Sequence, residues 1–182
     1  MNGRWIGKNK ASCRKQLRYN VIQIDNMYLI REANIQDVNE IAILFHNTIR
    51  HINDKDYTPT QIETWAGIAP EPEKWIAHLE TKQTFVACLY REIVGFAEFE
   101  TDGHIDALYT HYDHQREGIA SRLMERIELE AQRLEIVRLY TEASITARRF
   151  FEKKGFVVVQ PQDIEYREVR FRNYKMEKYI SI

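Results

Sequence analysis

The pattern of apolar and polar positions is clearest between residues 104 and 134. From His104 to Tyr109 apolar and polar residues alternate, with His104, Asp106 and Leu108 on one predicted face, as in a β-strand. After a polar turn, apolar residues recur with the spacing of an amphipathic helix, at Ile119, Leu123, Ile127, Ala131 and Leu134. This segment therefore predicts a strand, a short turn and a helix.

The same patterns place further elements along the chain. Asn34 can cap a helix that extends to Ile49, Thr58 begins a capping box with proline at the first helical position, and Pro72 opens another helical segment. A last helix runs from Thr146 to Lys154 and ends at Gly155. Predicted strands are 28–32, 84–90, 93–100, 104–109, 136–141, 156–160 and 169–176. This order predicts an α/β fold, with residues 104–141 forming a right-handed crossover in a partly parallel sheet.

The turn between the predicted strand and helix has the features of a phosphate site. Gly118 lies at the helix start, where bare N–H groups and the positive end of the helix dipole favour an anion. The sequence lacks the G-x-x-x-x-G-K-[ST] of nucleotide hydrolases and the G-x-G-x-x-G of dinucleotide sites. The turn is thus suited to holding a pyrophosphate without cleaving it, although an ordinary turn would have the same sequence.

Two segments together resemble the GNAT superfamily of acetyl-coenzyme A dependent N-acetyltransferases. The family motif [QR]-x-x-G-x-[GA] is matched by Gln115, Gly118 and Ala120. The later motif N-x-x-A…Y-E-x-x-G-F is matched in part, by Ala147, Glu152, Gly155 and Phe156. Ser144 replaces the usual Asn, and Phe151 stands where the family often has Tyr. Residues 57–66, YTPTQIETWA, also resemble a small bacterial branch with Y-[ST]-P-x-Q-I-x-x-W-A.

The resemblance covers residues 27–179 and implies the GNAT fold. That fold is a central mixed, twisted sheet of about six or seven strands with helices on both faces and a V-shaped splay between two central parallel strands. It also implies acetyl-coenzyme A as co-substrate, with the acetyl carbonyl at the backbone of residues 108–110 and the pyrophosphate at the turn. The expected contacts are Leu108, Tyr109, Thr110, Gln115, Arg116, Glu117, Gly118, Ile119, Ala120, Ser121, Ser144 and Phe151. Phe151 would contact the pantetheine arm or fill the core.

The chemistry requires a base for the amine and an acid for the departing thiolate. His104 and Asp106 precede the expected carbonyl contact by four and two residues, and we keep both as candidate bases. A surface histidine beside a supporting carboxylate is the alternative for this pair. Because Phe151 has no exchangeable proton, Tyr109 and Tyr140 are the remaining candidate acids, or the thiolate takes its proton from solvent.

Three residues are candidates for the acceptor site. They are His51, Tyr57 and Trp65, and we expect the two short helices that follow Thr58 and Pro72 to wall this site. Each has an ordinary alternative: Trp65 in the core, Tyr57 packed at a helix start, and His51 in solvent. His111, Asp113 and His114 could suggest a metal site, but they lie in one turn without a further clustered ligand, so we expect no metal.

Composition limits the class of protein. A chain of 182 residues with 44% hydrophobic and 29% charged residues predicts one globular domain, spanning 27–182, and no apolar run is long enough to cross a bilayer. Cys13 and Cys88 form no C-x-x-C pair, which favours a reducing cytoplasm. Residues 1–26 carry six basic residues against Asp25 and are expected to be a poorly ordered extension, since translation could also begin at Met27. An organellar presequence and a basic nucleic-acid arm are the alternatives.

The expected function is direct acetyl transfer to a primary amine, in the first instance of a small molecule. A coenzyme A-binding module without turnover, and an acetyltransferase acting on a protein or aminoacyl-tRNA, are the alternatives. Nucleic acid is disfavoured because residues 27–182 carry a net charge of −6. The sequence leaves monomer and homodimer open.

Overall fold

Seven β-strands and five α-helices make up the part of the chain that the computed structural model describes, residues 28–182. Their order is β1 Tyr28–Glu32, α1 Val38–Ile52, α2 Pro59–Ala66, α3 Pro72–Thr81, β2 Gln83–Leu89, β3 Glu92–Phe99, β4 Ile105–Thr110, α4 Ile119–Arg133, β5 Arg138–Ser144, α5 Ile145–Lys153, β6 Val157–Tyr166 and β7 Val169–Tyr179. The strands form two antiparallel sheets, ordered β1-β2-β3-β4 and β5-β7-β6. The predicted basic extension and Cys13 lie outside the described residues.

The two sheets are joined at a single parallel bridge between His104 and Tyr140. Tyr140 N donates to Gly103 O (3.0 Å), and Thr141 Oγ1 donates to Ile105 O (2.8 Å). Beyond these contacts no ladder joins β4 to β5 within residues 28–182, so the strands diverge towards their carboxyl ends. The predicted parallel pairing is therefore confined to the apex of a V, and the expected splay is present.

Gly103 allows the two sheets to approach at this apex. Its φ is 96°, and a Cβ there would lie 2.0 Å from Arg138 O. We expect Gly103→Ala to lower the free energy of unfolding by roughly 2–4 kcal/mol, because it combines backbone strain with a clash against fixed backbone. Urea unfolding measures the change.

Gly155→Ala is the matched control for Gly103→Ala. Gly155 has a similar φ of 87°, but its Cβ would meet only the Lys178 side chain, at 3.7 Å. It should therefore lose only the strain of a left-handed residue, about 1–2 kcal/mol. Equal losses in the two variants would contradict a special constraint at the apex.

Apolar side chains cover both faces of the sheets. On one face α4 buries Ile119, Leu123 and Ile127 against the strands, as the helical spacing predicted. On the other face α1 and α3 contribute Ile41, Leu44 and Trp75 to a second cluster with Phe96. Helices on both faces hold the apex of the V in a fixed position.

A β-bulge changes the predicted alternation in β4. Ala107 pairs with Glu98 and Ile105 pairs with Phe99, which leaves Asp106 without a cross-strand partner in the described sheet. Ala107 packs into the α1 cluster, whereas Ile105 and Leu108 pack into the α4 cluster. The prediction that His104, Asp106 and Leu108 share one face is therefore wrong for Leu108, because the extra residue shifts the alternation in the middle of the strand. His104 and Asp106 still lie together, with side-chain ligand atoms within 4.8 Å of each other.

The predicted capping box at α2 is confirmed. Thr58 Oγ1 accepts from Gln61 N (3.3 Å), Gln61 Oε1 accepts from Thr58 N (2.8 Å), and Pro59 is the first helical residue. Gln61 Nε2 also donates to Arg170 O (2.7 Å) in β7. This contact places α2 against the β6–β7 hairpin.

The expectations about membrane spans and about Cys88 concern residues that the structure describes. Among residues 28–182 no helix combines the length and apolar character needed to cross a membrane. Cys88 carries a free thiol that is buried in β2.

Candidate active site

The edge of β4 that faces the V carries backbone groups directed away from its neighbour β3. His111 N donates to Val94 O on β3 (2.9 Å), and successive strand residues direct their N–H groups to opposite sides. The N–H groups of Leu108 and Thr110 therefore point into the opening between β4 and β5, whereas that of Tyr109 points towards β3. An extended ligand arm can pair with this edge as a strand would.

The turn before α4 ends at a glycine that begins the helix. Gly118 is the N-cap residue, with φ 85° and ψ 0°, and Arg116 also has a positive φ of 64°. Apart from its own chain neighbours and the adjacent helix backbone, no atom of residues 28–182 lies within 4 Å of the position where a Gly118 Cβ would stand. The bare N–H groups of the helix start therefore face open space, as an anion site requires.

Side chains of the turn are used to hold its shape. Gln115 Nε2 donates to Thr110 O (2.9 Å) and His111 O (2.9 Å), which ties the turn to the end of β4. Glu117 accepts from the Tyr28 hydroxyl, and this hydrogen bond holds the pKa of Glu117 below its usual value. Of the next residues, Ile119 is buried, while Ala120 and Ser121 are half-buried. Gln115 and Glu117 thus have internal roles, so the turn offers a ligand mainly its backbone.

Ser144 and Phe151 also have identifiable positions. Ser144 Oγ accepts from Ala147 N (3.1 Å) and caps α5 at the end of β5. Phe151 is 2% exposed and packs edge-on against Phe150 and Phe156. Phe151 therefore fills the core, the second of the two positions expected for it.

A model of the acetyltransferase (GNAT) domain matches residues 53–178. The chain belongs to the GNAT acetyltransferase family. It is therefore an acyltransferase with the mixed α/β fold of that family. The resemblance drawn from the turn and the α5 segment is confirmed at this level.

Individual relatives agree with this assignment. The N-acetyltransferase YafP of Escherichia coli is 30% identical over 151 residues, covering 83% of this chain and 95% of YafP. A GCN5-related N-acetyltransferase of Rhodopseudomonas palustris is 29% identical with a TM-score of 0.81, covering 85% of this chain and 97% of that one. The PaiA N-acetyltransferase of Thermoplasma acidophilum, solved with coenzyme A, is 18% identical with a TM-score of 0.70 over 84% and 99%, and supports the fold alone.

A group of charged side chains lies at the apex of the V in this acetyltransferase. Lys82 Nζ donates to Asp106 on the bulge and lies 3.0 Å from Glu100 Oε1. Burial alone raises the pKa of Asp106, but the hydrogen bond and charge of Lys82 outweigh it, so the net pKa lies below the usual value. Asp106 is therefore an ionised carboxylate beside the strand edge.

Behind Asp106 lies a buried carboxylate that sequence reasoning missed. Glu98 is 1% exposed, and His78 Nδ1 lies 2.9 Å from both of its oxygens. Burial raises the pKa of Glu98 above its usual value, although His78 opposes the shift. The available signal was an acid at an inward position, two residues after Phe96 in an apolar strand. Its partner on α3 could not be found from spacing.

His104 is stabilised in its charged form. Its ring stacks on Tyr140 with centroids 4.9 Å apart, and Nε2 lies 2.8 Å from Glu142 Oε2. The hydrogen bond with Glu142 raises the pKa of His104, while burial opposes the shift. This ion pair therefore stabilises the fold fully below the unfolded pKa of about 6.5, and the contribution disappears as pH rises through the raised folded pKa.

Glu142→Gln should lower the pKa of His104 towards about 6.5, because a neutral amide no longer favours the imidazolium. The chemical shift of His104 Hε1, followed by NMR as a function of pH, measures this. Glu177→Gln is the control, since Glu177 lies opposite Tyr140 on β7 and binds Arg138. An unchanged His104 pKa in Glu142→Gln would contradict the assigned cause.

The three acceptor candidates are not all brought together. Tyr57 and Trp65 pack edge-on at 5.3 Å, but the Tyr57 hydroxyl donates to Arg172 O (3.1 Å) and accepts from Ile145 N (2.9 Å). His51 is exposed and stacks on Tyr112 at 4.3 Å, in the turn after β4. Tyr57 therefore ties the helices to α5 and β7, whereas Trp65 lines a pocket among the helices.

The remaining expected residues are Tyr109, a candidate acid, and the turn that contains His111 and His114. The Tyr109 ring stacks on Phe96 at 5.4 Å, and burial raises the pKa of its hydroxyl well above the usual value, which makes it a weak acid. The rings of His111 and His114 are 5.7 Å apart and tilted.

Two other groups among the described residues could offer three ligand atoms to one ion. They are His78 with Glu98 and Asp106, and Glu100 with His104 and Asp106. In these groups Lys82 already supplies a positive charge at Asp106 and Glu100.

Proposed function

We propose that this GNAT acetyltransferase transfers the acetyl group of acetyl-coenzyme A directly to a primary amine of a small molecule. The observation that carries the proposal is the ionised Asp106, which a β-bulge places beside the unpaired edge of β4. Bulges near active sites commonly redirect one side chain in this way. A base and a row of backbone donors are thereby brought to one point, which acyl transfer to an amine requires.

The residues present fit acetyl-coenzyme A. The open space above Gly118 and the bare N–H groups of the helix start suit its pyrophosphate, and the edge of β4 suits its pantetheine arm. Acetyl-coenzyme A supplies an activated acetyl thioester. The N–H groups of Leu108 and Thr110 would stabilise negative charge on an acyl oxygen, an effect worth about 2.7–4 kcal/mol per donor.

Asp106 is the candidate base that the bulge places beside the strand edge, although Lys82 makes its carboxylate a weaker base than a free aspartate. Glu142 raises the pKa of His104 and so stabilises the imidazolium, the form that has no lone pair to accept the proton of the amine. Asp106 is ionised and can accept a proton directly or through water. Glu98 and His78 lie behind it and can share that proton, since the raised pKa of Glu98 favours its protonated form.

The acid is supplied by solvent in this proposal. Phe151 has no exchangeable proton. Burial raises the pKa of Tyr109, and the hydrogen bond with Asp102 raises the pKa of Tyr140 to about 12, so both hydroxyls donate a proton unfavourably. A thiol with a pKa of about 8.5 leaves readily as thiolate and is then protonated by water.

Charge favours a cationic acceptor over a polyanion. Four carboxylates lie around the apex beside the two cations Lys82 and His104: Glu100, Asp102, Asp106 and Glu142. A negative surface attracts an alkylammonium and repels phosphates. The charge therefore disfavours an aminoacyl-tRNA acceptor.

Thiol release with a panel of primary amines tests the function. We expect amine-dependent release of free coenzyme A together with an N-acetylated product detected by mass spectrometry. Binding of acetyl-coenzyme A without release for any amine would instead support the alternative of a coenzyme A-binding module. Acetylation of protein or aminoacyl-tRNA alone would contradict the small-molecule acceptor.

A further inference from the structure

A narrow pocket beside the active site is walled by aromatic rings. Phe45, Trp65 and Trp75 come from α1, α2 and α3, and Tyr166 comes from the β6–β7 hairpin. Phe45 and Trp75 meet edge-on with centroids 5.1 Å apart. Aromatic walls from four separate elements form a surface that attracts cations through the faces of the rings.

The rings already hold cations from the chain itself. Lys74 Nζ lies 5.2 Å from the Phe45 centroid and 5.5 Å from the Trp75 centroid. At the hairpin end, the Arg167 guanidinium lies 5.2 Å from the Tyr166 ring. All three distances are within the range of a cation–π contact, about 6 Å. Lys74 is an exposed residue on a helix, so its long side chain can leave the rings without moving the backbone.

The pocket adjoins the groups proposed to handle the amine proton. Trp75 packs on His78 at 5.1 Å, and His78 contacts the buried Glu98. Phe45 packs on Tyr109 of β4 at 5.0 Å. The rings of Trp75 and His78 thus lie between the pocket and Glu98.

The two neighbouring sites favour different states of a nitrogen atom. Acyl transfer needs a neutral nitrogen with a free lone pair, whereas an aromatic wall stabilises a charged nitrogen. Glu71 also lines the pocket and adds a carboxylate that offsets the charge of Arg167 in the same lining. A nitrogen held in the pocket therefore stays charged and is not the nitrogen that reacts.

We infer that the pocket binds a second, non-reacting cationic nitrogen of the acceptor, so the acceptor is a diamine or an amine bearing a quaternary ammonium. Lys74 occupies the rings in the free enzyme and is displaced when this group binds. The inference rests on the proposed function for the identity of the reacting group. The binding of a cation to the pocket can be tested without turnover.

Choline and its neutral isostere 3,3-dimethyl-1-butanol test the pocket alone. We expect choline, but not the alcohol, to perturb the indole signals of Trp65 and Trp75 in NMR spectra. Lys74→Met should tighten choline binding about fivefold, because it removes the competing ammonium and keeps the aliphatic stem. Lys153→Met on α5 removes an exposed lysine elsewhere and should leave binding unchanged. Equal binding of choline and the alcohol would overturn the inference.

Acetylation rates then test the acceptor class. We expect kcat/KM for 1,4-diaminobutane to exceed that for 4-amino-1-butanol at least tenfold, and Trp65→Leu to remove most of this preference. Trp65 is half-buried, so its replacement perturbs the fold less than that of Trp75, which is 3% exposed. Choline binding with no turnover of any amine would contradict the proposed function alone. Turnover with equal kcat/KM for the two amines, and no choline binding, would contradict only the pocket.

Discussion

Gly118→Trp is expected to weaken acetyl-coenzyme A binding by at least about a hundredfold while the protein remains folded. The side chain would fill the open space over the start of α4 and cover its N–H groups. Each charge-assisted hydrogen bond lost there costs roughly 1.5–3 kcal/mol, and two such losses exceed the 2.7 kcal/mol that corresponds to about a hundredfold. Isothermal titration calorimetry with acetyl-coenzyme A measures the affinity.

Backbone strain has to be separated from ligand exclusion at Gly118. A non-glycine residue at φ 85° costs about 1–2 kcal/mol, which a protein of ordinary stability tolerates. Gly155→Trp introduces the same strain at φ 87°, next to the flexible Lys178 side chain and at the far end of α5. It should lose similar stability and bind acetyl-coenzyme A normally. Wild-type affinity in Gly118→Trp would remove the pyrophosphate site from this turn.

The sequence was sufficient to predict the helices and strands and the position of the turn before α4. The spacing of Ile119, Leu123 and Ile127 determines which face of α4 is buried, because a helix without burial of that face would expose all three. Gly118 could be placed at the helix start because few other residues adopt its backbone conformation readily. Such local constraints depend only on neighbouring residues, so a single sequence contains them.

The arrangement of the candidate site depends on contacts distant in the sequence. The bulge at Asp106 exists because β4 has one extra residue where it pairs with β3. Predicting that extra residue requires the pairing register of the two strands. The Glu98–His78 contact joins residues 20 apart, and the apex at Tyr140 joins residues further apart. Periodicity within a segment carries no information about either, so the deeper members of the carboxylate group were missed.

The Phe151 and His51 positions illustrate a different limit. The family pattern places a residue at Phe151, but whether that side chain faces a ligand or the core depends on the rotation of α5 relative to the sheet. Here the ring packs on Phe156 in the core. His51 lies in the last turn of α1, and its partner Tyr112 lies in a turn whose path the sequence did not specify. The role of His51 in acceptor binding stays a prediction.

Asp106→Asn is expected to lower kcat/KM for amine acetylation by about 100- to 1,000-fold, the lower part of the range for loss of a general base. Affinity for acetyl-coenzyme A should not change, because the substitution lies at the bulge and away from the turn.

Glu98→Gln tests the buried carboxylate behind Asp106. Because burial raises the pKa of Glu98, wild-type kcat/KM should fall as pH drops through that raised value, and Glu98→Gln should shift this acidic limb to lower pH. Steady-state rates of thiol release, measured between about pH 5 and about pH 9, report both effects.

Loss of a negative charge must be distinguished from loss of the base. Asp102→Asn is the matched control, because Asp102 accepts a hydrogen bond from Tyr140 at the same apex but lies before the bulge, off the edge of β4. A purely electrostatic role for the carboxylates predicts similar losses in both variants, since each removes one charge from one cluster. A role for Asp106 as base predicts a loss of less than about fivefold in Asp102→Asn, because a single charge near the surface is worth only about 1 kcal/mol. Similar losses would therefore assign the effect of Asp106 to attraction of the ammonium, and proton removal would then have to be sought at Glu98 or in solvent.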